Sequence, residues 1–332
     1  MIGPKTAVAL LSLAAVPAQA AETGPAAANW DAEAVPQPLR EALALQIALE
    51  SRGFSPGLLD GRPGQKTRLA LAAFQTAAGL PASGEATTAT LALLSPEPER
   101  ALAPVRVSPS DEAEVDPPPR DWIERSRKQR LLYPSLANLL AERTHTTERL
   151  LATLNPGLDL TALRPGDLVL APAADESRRR TVAGARLEID LERKLILIFP
   201  SAERGPPSGL LHCSIAADPA RAPEGDAHVE VVAADPIYTF DPAKWPEVHG
   251  VNRKLRIPPG PRSPVGLRWI GLDLEGIGIH GVPEPENIGK TGSHGCFRLT
   301  NWDAIWLSGL VQYGTPVRIV RSSREASWSW GG

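Results

Sequence analysis

The sequence of 332 residues predicts a multidomain protein in which a small three-helix module precedes a mainly β domain. Near the N-terminus, Leu39, Leu43 and Ile47 fall four residues apart, which is typical of one face of a helix. From Leu187 onward, apolar residues alternate with charged residues, as they do in half-buried strands. The 34 prolines are clustered, which favours folded units joined by extended spacers.

The first unit spans residues 38–95 and contains three predicted helices. The first helix ends near Gly53, a suitable C-cap, the second passes through Phe74, and the third ends near Leu94. Its motifs resemble the peptidoglycan-binding module of three helices found in many cell-wall hydrolases and transferases: Gly53-Phe54-x-x-Gly57, Asp60-Gly61, Gly64-x-x-Thr67 and Ala73-Phe74-Gln75. An unrelated helical bundle is the alternative interpretation.

Residues 96–120 are predicted to form a Pro-rich linker. Prolines alternate there with acidic residues, and few side chains are apolar. Such a segment has too little apolar surface to form a core, and proline favours an extended backbone. We therefore expect a spacer between two folded units.

Residues 131–174 are predicted to form a second small unit. Two helices are indicated near residues 139–143 and 147–154, and a turn over 163–167 leads into a strand at 168–170. This order resembles the end of a LysM-like glycan-binding motif, but the opening strand of that motif is not evident. A structural spacer that packs on the next domain is the alternative.

Residues 182–321 are predicted to form a mainly β domain with a short helix or two. Thr300-Asn301-Trp302-Asp303 fits a capping box that opens a helix running to about residue 311. Apolar patterning predicts strands at residues 187–191, 195–199, 229–232, 269–270, 277–279 and 316–320.

Residues 1–20 have the features of an export signal. Lys5 supplies a positive charge, residues 7–16 form an apolar run too short to span a bilayer, and Ala18-Gln19-Ala20 is a cleavage site. A short membrane anchor is the alternative. The net charge of −3 comes with no basic stripe, so we expect no nucleic-acid partner.

The two cysteines, Cys213 and Cys296, are too few for a disulfide scaffold. They could form a single disulfide, or one could be a free reactive thiol. Cys213 follows His212 in a predicted strand, where neighbouring side chains point to opposite faces. We therefore expect Cys213 to be a packed core residue.

Cys296 has the surroundings of a nucleophile. His280 ends a predicted strand, and 15 residues rich in glycine and proline separate it from Cys296, so the chain can fold back and join the two side chains. An imidazole activates a thiol by accepting its proton or by stabilising the thiolate. Gly295 permits unusual backbone dihedrals, and the N–H groups of Gly295 and Cys296 are candidate donors to an oxyanion.

These residues belong to a long motif. His280-Gly281, followed by Ser293-His294-Gly295-Cys296-Phe297-Arg298-Leu299 and Asn301, resembles the signature of the L,D-transpeptidase, or YkuD-type, catalytic domain. The resemblance implies a YkuD-like β-sandwich or barrel with short helices. It also implies that Cys296 is the nucleophile, that His280 is the general base and acid, and that the Gly281 carbonyl orients the His280 ring. The remaining motif residues would shape the oxyanion region, hold the loop or meet a substrate carboxylate: Ser293, His294 and Arg298.

The resemblance implies a two-step acyl transfer on peptidoglycan stem peptides. The thiol would form a thioester with the third stem residue, and an amine of a second stem would then give a 3→3 crosslink. Water or a lysine of an envelope protein could replace that amine as acyl acceptor. Glycan is the other expected partner, no cofactor or metal is expected, and the periplasm or cell wall is the expected location.

Three alternatives use the same residues differently. Zinc binding by His280, His294 and Cys296 lacks a fourth ligand and a paired Cys-x-x-Cys spacing. A cell-wall cysteine endopeptidase would have its cysteine early in the domain and its histidine later, the reverse of the order here. A non-catalytic wall-binding scaffold would be expected to have lost one of the two reactive residues.

Overall fold

The computed structural model describes residues 34–174, 179, 185–200, 205–218, 221–245, 248–290, 292 and 295–321. The predicted export signal at residues 1–20 lies outside these described residues. Within them, no helix combines the length and the apolar character needed to cross a membrane.

The N-terminal module consists of three helices, α1 (Gln37–Ser51), α2 (Gln65–Ala77) and α3 (Thr88–Leu94). Gly53 lies just after α1 with φ +87°, a conformation that glycine adopts without steric cost. The hydroxyl of Thr87 caps α3 by accepting a hydrogen bond from the N–H of Thr90. The predicted helical module is confirmed.

A middle unit of two strands and four helices follows. Its first and last elements, β1 (Leu102–Arg106) and β2 (Leu168–Pro172), pair as antiparallel strands. Between them in the chain lie α4 (Pro109–Glu112), α5 (Trp122–Arg127), α6 (Leu136–Arg143) and α7 (Glu148–Leu154). The opening strand that the sequence analysis did not find is therefore present as β1, and α6 and α7 share a small apolar core with both strands.

The expectation of an extended linker over residues 96–120 is wrong, because β1 lies inside that segment. Pro104 is tolerated in β1 because its partner Leu170 requires no hydrogen bond from it. The N–H and the carbonyl of Leu170 both bond the side-chain amide of Asn155, each at 2.8 Å. Proline is therefore compatible with β1, because it stands at a position where the strand pair needs no N–H from it.

The C-terminal domain is mainly β, as predicted. Its strands are β3 (Ala185–Asp190), β4 (Leu195–Pro200), β5 (Gly209–His212), β6 (Gly225–Ala234), β7 (Tyr238–Phe240), β8 (Leu255–Ile257), β9 (Arg268–Leu272), β10 (Gly278–Val282), β11 (Phe297–Thr300) and β12 (Pro316–Val320). Eight of them form one sheet in the order β11-β10-β9-β6-β12-β3-β4-β5, while β7 and β8 pair separately as a hairpin. Helix α8 (Asn301–Ser308) follows β11 and is capped by Thr300 as expected.

The eight-stranded sheet is nearly closed. Just beyond β5, Ser214 forms an isolated antiparallel bridge to Arg298 of β11, the strand at the opposite edge of the sheet. The N–H of each residue donates to the carbonyl of the other at 2.9 Å. The main apolar core lies inside this curved sheet and is completed by the buried face of α8.

The N-terminal module packs directly on the outside of the sheet. Phe54 and Phe74 share a core with the outer faces of β4 and β5. The backbone also pairs there: Leu210 of β5 donates to the carbonyl of Gly53 at 3.0 Å, and Ser55 donates to the carbonyl of Leu210 at 2.8 Å. The module therefore continues the sheet beyond its last strand.

Helix α8 meets both preceding units through buried polar contacts. Asn301 donates to the carboxylate of Glu142 in the middle unit at 2.9 Å. Asp303 forms an ion pair with Arg179 at 2.6 Å and accepts a hydrogen bond from Ser55 at 3.2 Å. The start of α8 is thus fixed by residues from three regions of the chain.

Candidate active site

His280 lies in β10, and Cys296 directly precedes the neighbouring strand β11. Strands β10 and β11 are parallel, and His280 is directly opposite Arg298. Paired residues in a sheet point to the same face, as do residues two apart along one strand. Arg298 therefore shares the face of His280, and Cys296 lies two positions before Arg298, while the alternate residues Ile279 and Phe297 are buried in the core.

This face forms the floor of a cavity of about 1030 Å³. His280, Cys296 and Arg298 all line the cavity. Its walls are formed largely by aromatic and charged side chains from β9, from the β7–β8 hairpin and from α5 of the middle unit: Trp122, Arg125, Tyr238, Lys244, Trp245 and Trp269.

The ring of His280 is held in one orientation. Its Nδ1 lies 2.7 Å from the carbonyl oxygen of Gly281, so Nδ1 carries the proton and donates it to this acceptor. The indole of Trp269 stacks on the ring, with centroids 5.6 Å apart and planes inclined by 20°. In the neutral ring, Nε2 is therefore an unprotonated base.

Burial keeps His280 neutral. The pKa of His280 is lowered to about 4: removal of the ring from water is the main cause, the bond to Gly281 partly opposes it, and the positive charge of Arg298 adds to it. The imidazole is therefore ready to accept a proton at neutral pH.

Cys296 is a partly buried thiol whose Sγ lies 3.5 Å from the carbonyl oxygen of Gly276. Burial raises the pKa of Cys296, while a backbone hydrogen bond from Gly278 and the charges of Arg298 and Lys244 act in the opposite direction. With a raised thiol pKa and a lowered imidazole pKa, Cys296 and His280 are both uncharged at neutral pH. Proton transfer must then accompany nucleophilic attack.

Gly295 occupies a position that only glycine fits. Its φ is +154°, and a Cβ added there would lie 2.9 Å from Cδ1 of Ile277. A side chain at this position would therefore strain the backbone next to Cys296 and require the Ile277 side chain to move.

A buried amide fixes the backbone behind His280. A Cβ on Gly281 or on Gly266 would lie 2.2 Å from Oδ1 of Asn301. That oxygen accepts a hydrogen bond from the N–H of Leu267 at 3.0 Å, and the Asn301 amide also donates to the carbonyl of Pro261 at 3.1 Å. Asn301 was part of the sequence motif, but the sequence alone assigned it no role.

Arg298 reaches the cavity from β11, and its Nη1 donates to the carbonyl of Gly292 at 3.0 Å. Burial lowers the pKa of Arg298, although the nearby Cys296 and Glu284 favour its charged form. Its bound acceptor is neutral, so the guanidinium retains its full positive charge beside the thiol. Ser293 and His294, the other residues predicted at this site, lie outside the described residues.

The cavity contains groups that the sequence analysis did not assign to the site. Tyr238 and Trp245 from the β7–β8 hairpin are linked by a hydrogen bond of 3.1 Å from the indole N–H to the phenol oxygen. Trp122 and Arg125 come from α5, far from the motif in the sequence. Their only sequence signal is a concentration of tryptophan in a chain with 5% aromatic residues, which does not specify a partner.

The second cysteine lies on the other side of the sheet. Cys213 is 0% exposed within the main core, and both cysteines are free thiols. Burial raises the pKa of Cys213. In the part of the chain that the structure describes, no cluster of three or more histidine, cysteine or acidic side chains could hold a metal ion.

Two family models match the chain. Residues 185–319 match the model described as "L,D-transpeptidase catalytic domain", and residues 40–94 match "Putative peptidoglycan binding domain". Both matches confirm the resemblances drawn from the sequence motifs.

Curated relatives match over part of their length. The chain is 36% identical over 109 residues to "Putative L,D-transpeptidase YqjB" of Bacillus subtilis, covering 31% of this chain and 54% of the relative. It is 42% identical over 69 residues to "Putative L,D-transpeptidase YkuD" of Bacillus licheniformis, covering 21% of this chain and 39% of the relative. The chain therefore spans about half the length of these relatives, or less.

Solved structures of L,D-transpeptidases show a weaker likeness. A structure from Xylanimonas cellulosilytica covers 84% of this chain and 93% of its own, at 20% identity and a TM-score of 0.35. A structure from Enterococcus faecium covers 42% of this chain and 50% of its own, at 22% identity and a TM-score of 0.31. At these TM-scores the likeness supports no conclusion about function.

Proposed function

With residues 185–319 matching the L,D-transpeptidase catalytic domain, we propose that the protein is a cysteine acyltransferase that forms 3→3 crosslinks between peptidoglycan stem peptides. The observation that supports this proposal is that one cavity is lined both by His280 of β10 and by Cys296, which directly precedes the neighbouring strand β11. The His280 ring is neutral and its Nε2 is unprotonated, as a general base requires.

In the proposed first step, Sγ of Cys296 attacks the carbonyl carbon of the third stem residue while Nε2 of His280 accepts the thiol proton. The negative oxygen that develops is stabilised by backbone N–H groups, for which Gly295 and Cys296 are our candidates. His280 then donates its proton to the leaving amine, the terminal D-alanine departs, and a thioester remains on Cys296.

In the second step, His280 removes a proton from the amine of a second stem, which attacks the thioester and releases the free thiol. The product is a 3→3 crosslink. If water attacks, the same site acts as an L,D-carboxypeptidase, and if a protein lysine attacks, the wall is joined to an envelope protein. Peptidoglycan as substrate is supported by the match of residues 40–94 to a peptidoglycan-binding domain.

The remaining proposals concern the context of the enzyme. We propose export through the signal at residues 1–20 to the periplasm or cell wall, where stem peptides are found. The N-terminal module would bind peptidoglycan there. The middle unit, with its strand–helix–helix–strand core, is a second candidate for glycan binding.

The test is incubation of the protein from residue 21 onward with disaccharide-tetrapeptides, with products identified by mass. The wild type should give 3→3 dimers, or tripeptides where water is the acceptor. Cys296→Ala should lower turnover about 10⁴-fold or more, because no other group replaces the nucleophile. Cys213→Ala is the matched control and should retain turnover.

A carbapenem offers an independent readout, since it presents a reactive acyl group to the same thiol. One acyl adduct should map to Cys296 in the wild type and in Cys213→Ala, and none should form in Cys296→Ala. Equal products from wild type and Cys296→Ala would overturn the proposed function.

A further inference from the structure

Helix α5 lies outside the family-matched catalytic domain but forms part of the wall of its cavity. Trp122 stacks on Phe240 of β7, with centroids 4.1 Å apart and planes inclined by 21°. It also contacts Tyr238 and Trp245, at 6.3 and 5.8 Å between centroids. An aromatic cluster thus joins α5 to the hairpin above Cys296.

The segment after α5 is fixed to the same domain through its backbone. Leu131 donates to the carbonyl of Pro259 at 2.9 Å and accepts from the N–H of Arg262 at 3.1 Å. Gly260 permits this approach, because a Cβ there would lie 2.4 Å from the Leu131 carbonyl oxygen. Residues 122–131 are therefore held against the C-terminal domain by backbone hydrogen bonds and aromatic stacking.

The charge balance of the cavity favours anions. Two of its acidic side chains are already neutralised, Asp241 by Lys254 at 3.0 Å and Glu284 by Arg262 at 3.4 Å. Among the described residues that line it, three cations then face one remaining acid, Glu275: they are Arg125, Lys244 and Arg298.

Of these three cations, Arg125 has the geometry best suited to binding an anionic ligand. Its guanidinium carbon lies 5.0 Å from the ring centroid of Trp122, and the side chain is half-buried. Among the described residues, no hydrogen bond or ion pair reaches this guanidinium, and Glu284, whose charge favours the charged form of Arg125, is paired with Arg262. Arg125 also borders a second cavity of about 210 Å³ that shares Glu284 with the first, so it stands at the junction of the two.

We propose that Arg125 binds a carboxylate of the stem peptide, so that a residue of the middle unit selects the substrate of the catalytic domain. A planar guanidinium held over an aromatic ring presents two parallel N–H donors, which match the two oxygens of a carboxylate. The inference rests on the proposed function, since the anionic ligand is the stem peptide on which Cys296 acts.

The test compares Arg125→Gln with Arg127→Gln, a matched change at an exposed arginine of the same helix that does not line the cavity. Steady-state turnover of a disaccharide-tetrapeptide should show KM raised about 10-fold or more in Arg125→Gln, with kcat within about threefold of wild type. Arg127→Gln should behave like wild type. Alkylation of Cys296 by iodoacetamide at the wild-type rate would show that the site remains folded.

Substrates with one carboxylate at a time replaced by a carboxamide identify the partner of Arg125. For one of these amidated substrates, KM should be higher than for the unmodified substrate with wild type and with Arg127→Gln, but not with Arg125→Gln. The reason is that amidation of the substrate and the Arg125→Gln substitution remove the same contact. Equal KM values for the two arginine variants, or equal amidation penalties in all proteins, would overturn the inference while the proposed function stands. No turnover by wild type would remove the proposed function, and the inference with it.

Discussion

The protein contains two histidine–cysteine pairs, and only one of them faces a cavity. His212 and Cys213 are adjacent in sequence, but Cys213 is sealed in the core and His212 bonds the carbonyl of Lys66 at 3.1 Å on the opposite side. His280 and Cys296 have 15 residues between them in the sequence, yet both line the same cavity. Strand pairing, not proximity in sequence, determines which histidine and cysteine line the cavity.

Burial affects the two pairs in the same direction. It lowers the pKa of His212 to about 3 and of His280 to about 4, and it raises the pKa of both thiols. The pairs therefore differ in access and geometry more than in electrostatics. Cys296 is partly exposed at the floor of the cavity, whereas Cys213 has no path to solvent.

The largest expected difference concerns the histidines. We expect His280→Asn to lower kcat/KM about 10³-fold, because it removes the base that takes the thiol proton. His212→Asn should leave kcat/KM within about threefold for each folded molecule, since His212 does not line the cavity. Turnover normalised to active sites, titrated with a carbapenem, makes this measurement. Equal losses in the two variants would contradict the distinction between the pairs.

Thiol alkylation should separate the cysteines by about 100-fold or more, because Cys213 reacts only after local unfolding. Peptide mapping by mass after brief iodoacetamide treatment measures both sites in one sample. The rate at Cys296 should also rise steadily with pH up to the alkaline range, because the thiolate is the reactive form and burial raises the thiol pKa. A plateau between about pH 5 and 7 would instead indicate a preformed thiolate–imidazolium pair.

The smallest expected effect is on stability in acid. Both buried histidines have a folded-state pKa below the ordinary value of about 6.5, so the unfolded chain binds more protons between these values. Their contribution is complete above pH 6.5 and decreases as the pH falls toward 4. Each histidine should cost about 2 kcal/mol of unfolding free energy between pH 7.5 and 5.

Urea unfolding at the two pH values tests this expectation. His280→Asn should lose about 2 kcal/mol less than wild type on acidification, because the variant has no ring to protonate. His249→Asn, at an exposed surface position, should follow the wild type. If all three proteins lost the same unfolding free energy between pH 7.5 and 5, protonation of His280 would not be a cause of the loss.

Local signals predicted much of this molecule. The four-residue spacing in α1 and the hydroxyl cap of α8 depend on neighbouring residues, which the sequence displays directly. The motif also indicated that His280 and Cys296 meet. It could not indicate how, because the parallel register of β10 and β11 arises from tertiary pairing.

Two features could not be predicted because they depend on distant partners. Proline in β1 indicated a spacer. The partner strand of β1 includes Leu170, whose backbone groups bond the side chain of Asn155, and a local sequence pattern does not contain this contact. The stacking of Trp122 on Phe240 joins residues more than 100 positions apart, and neither residue specifies the other. The residues at the floor of the cavity were therefore predictable from a motif, whereas those of the cavity wall were not.

The backbone pairing between Gly53–Ser55 and Leu210 covers part of the outer edge of β5. Strand β5 is the last in its sheet, and the faces it shares with β4 are apolar: Leu195, Leu197, Phe199 and Leu210. Removal of the first 184 residues would expose the edge of β5 next to an apolar surface. This combination favours intermolecular β-pairing and aggregation. We therefore expect the N-terminal module to keep the C-terminal domain soluble, and a fragment that starts at residue 185 to aggregate.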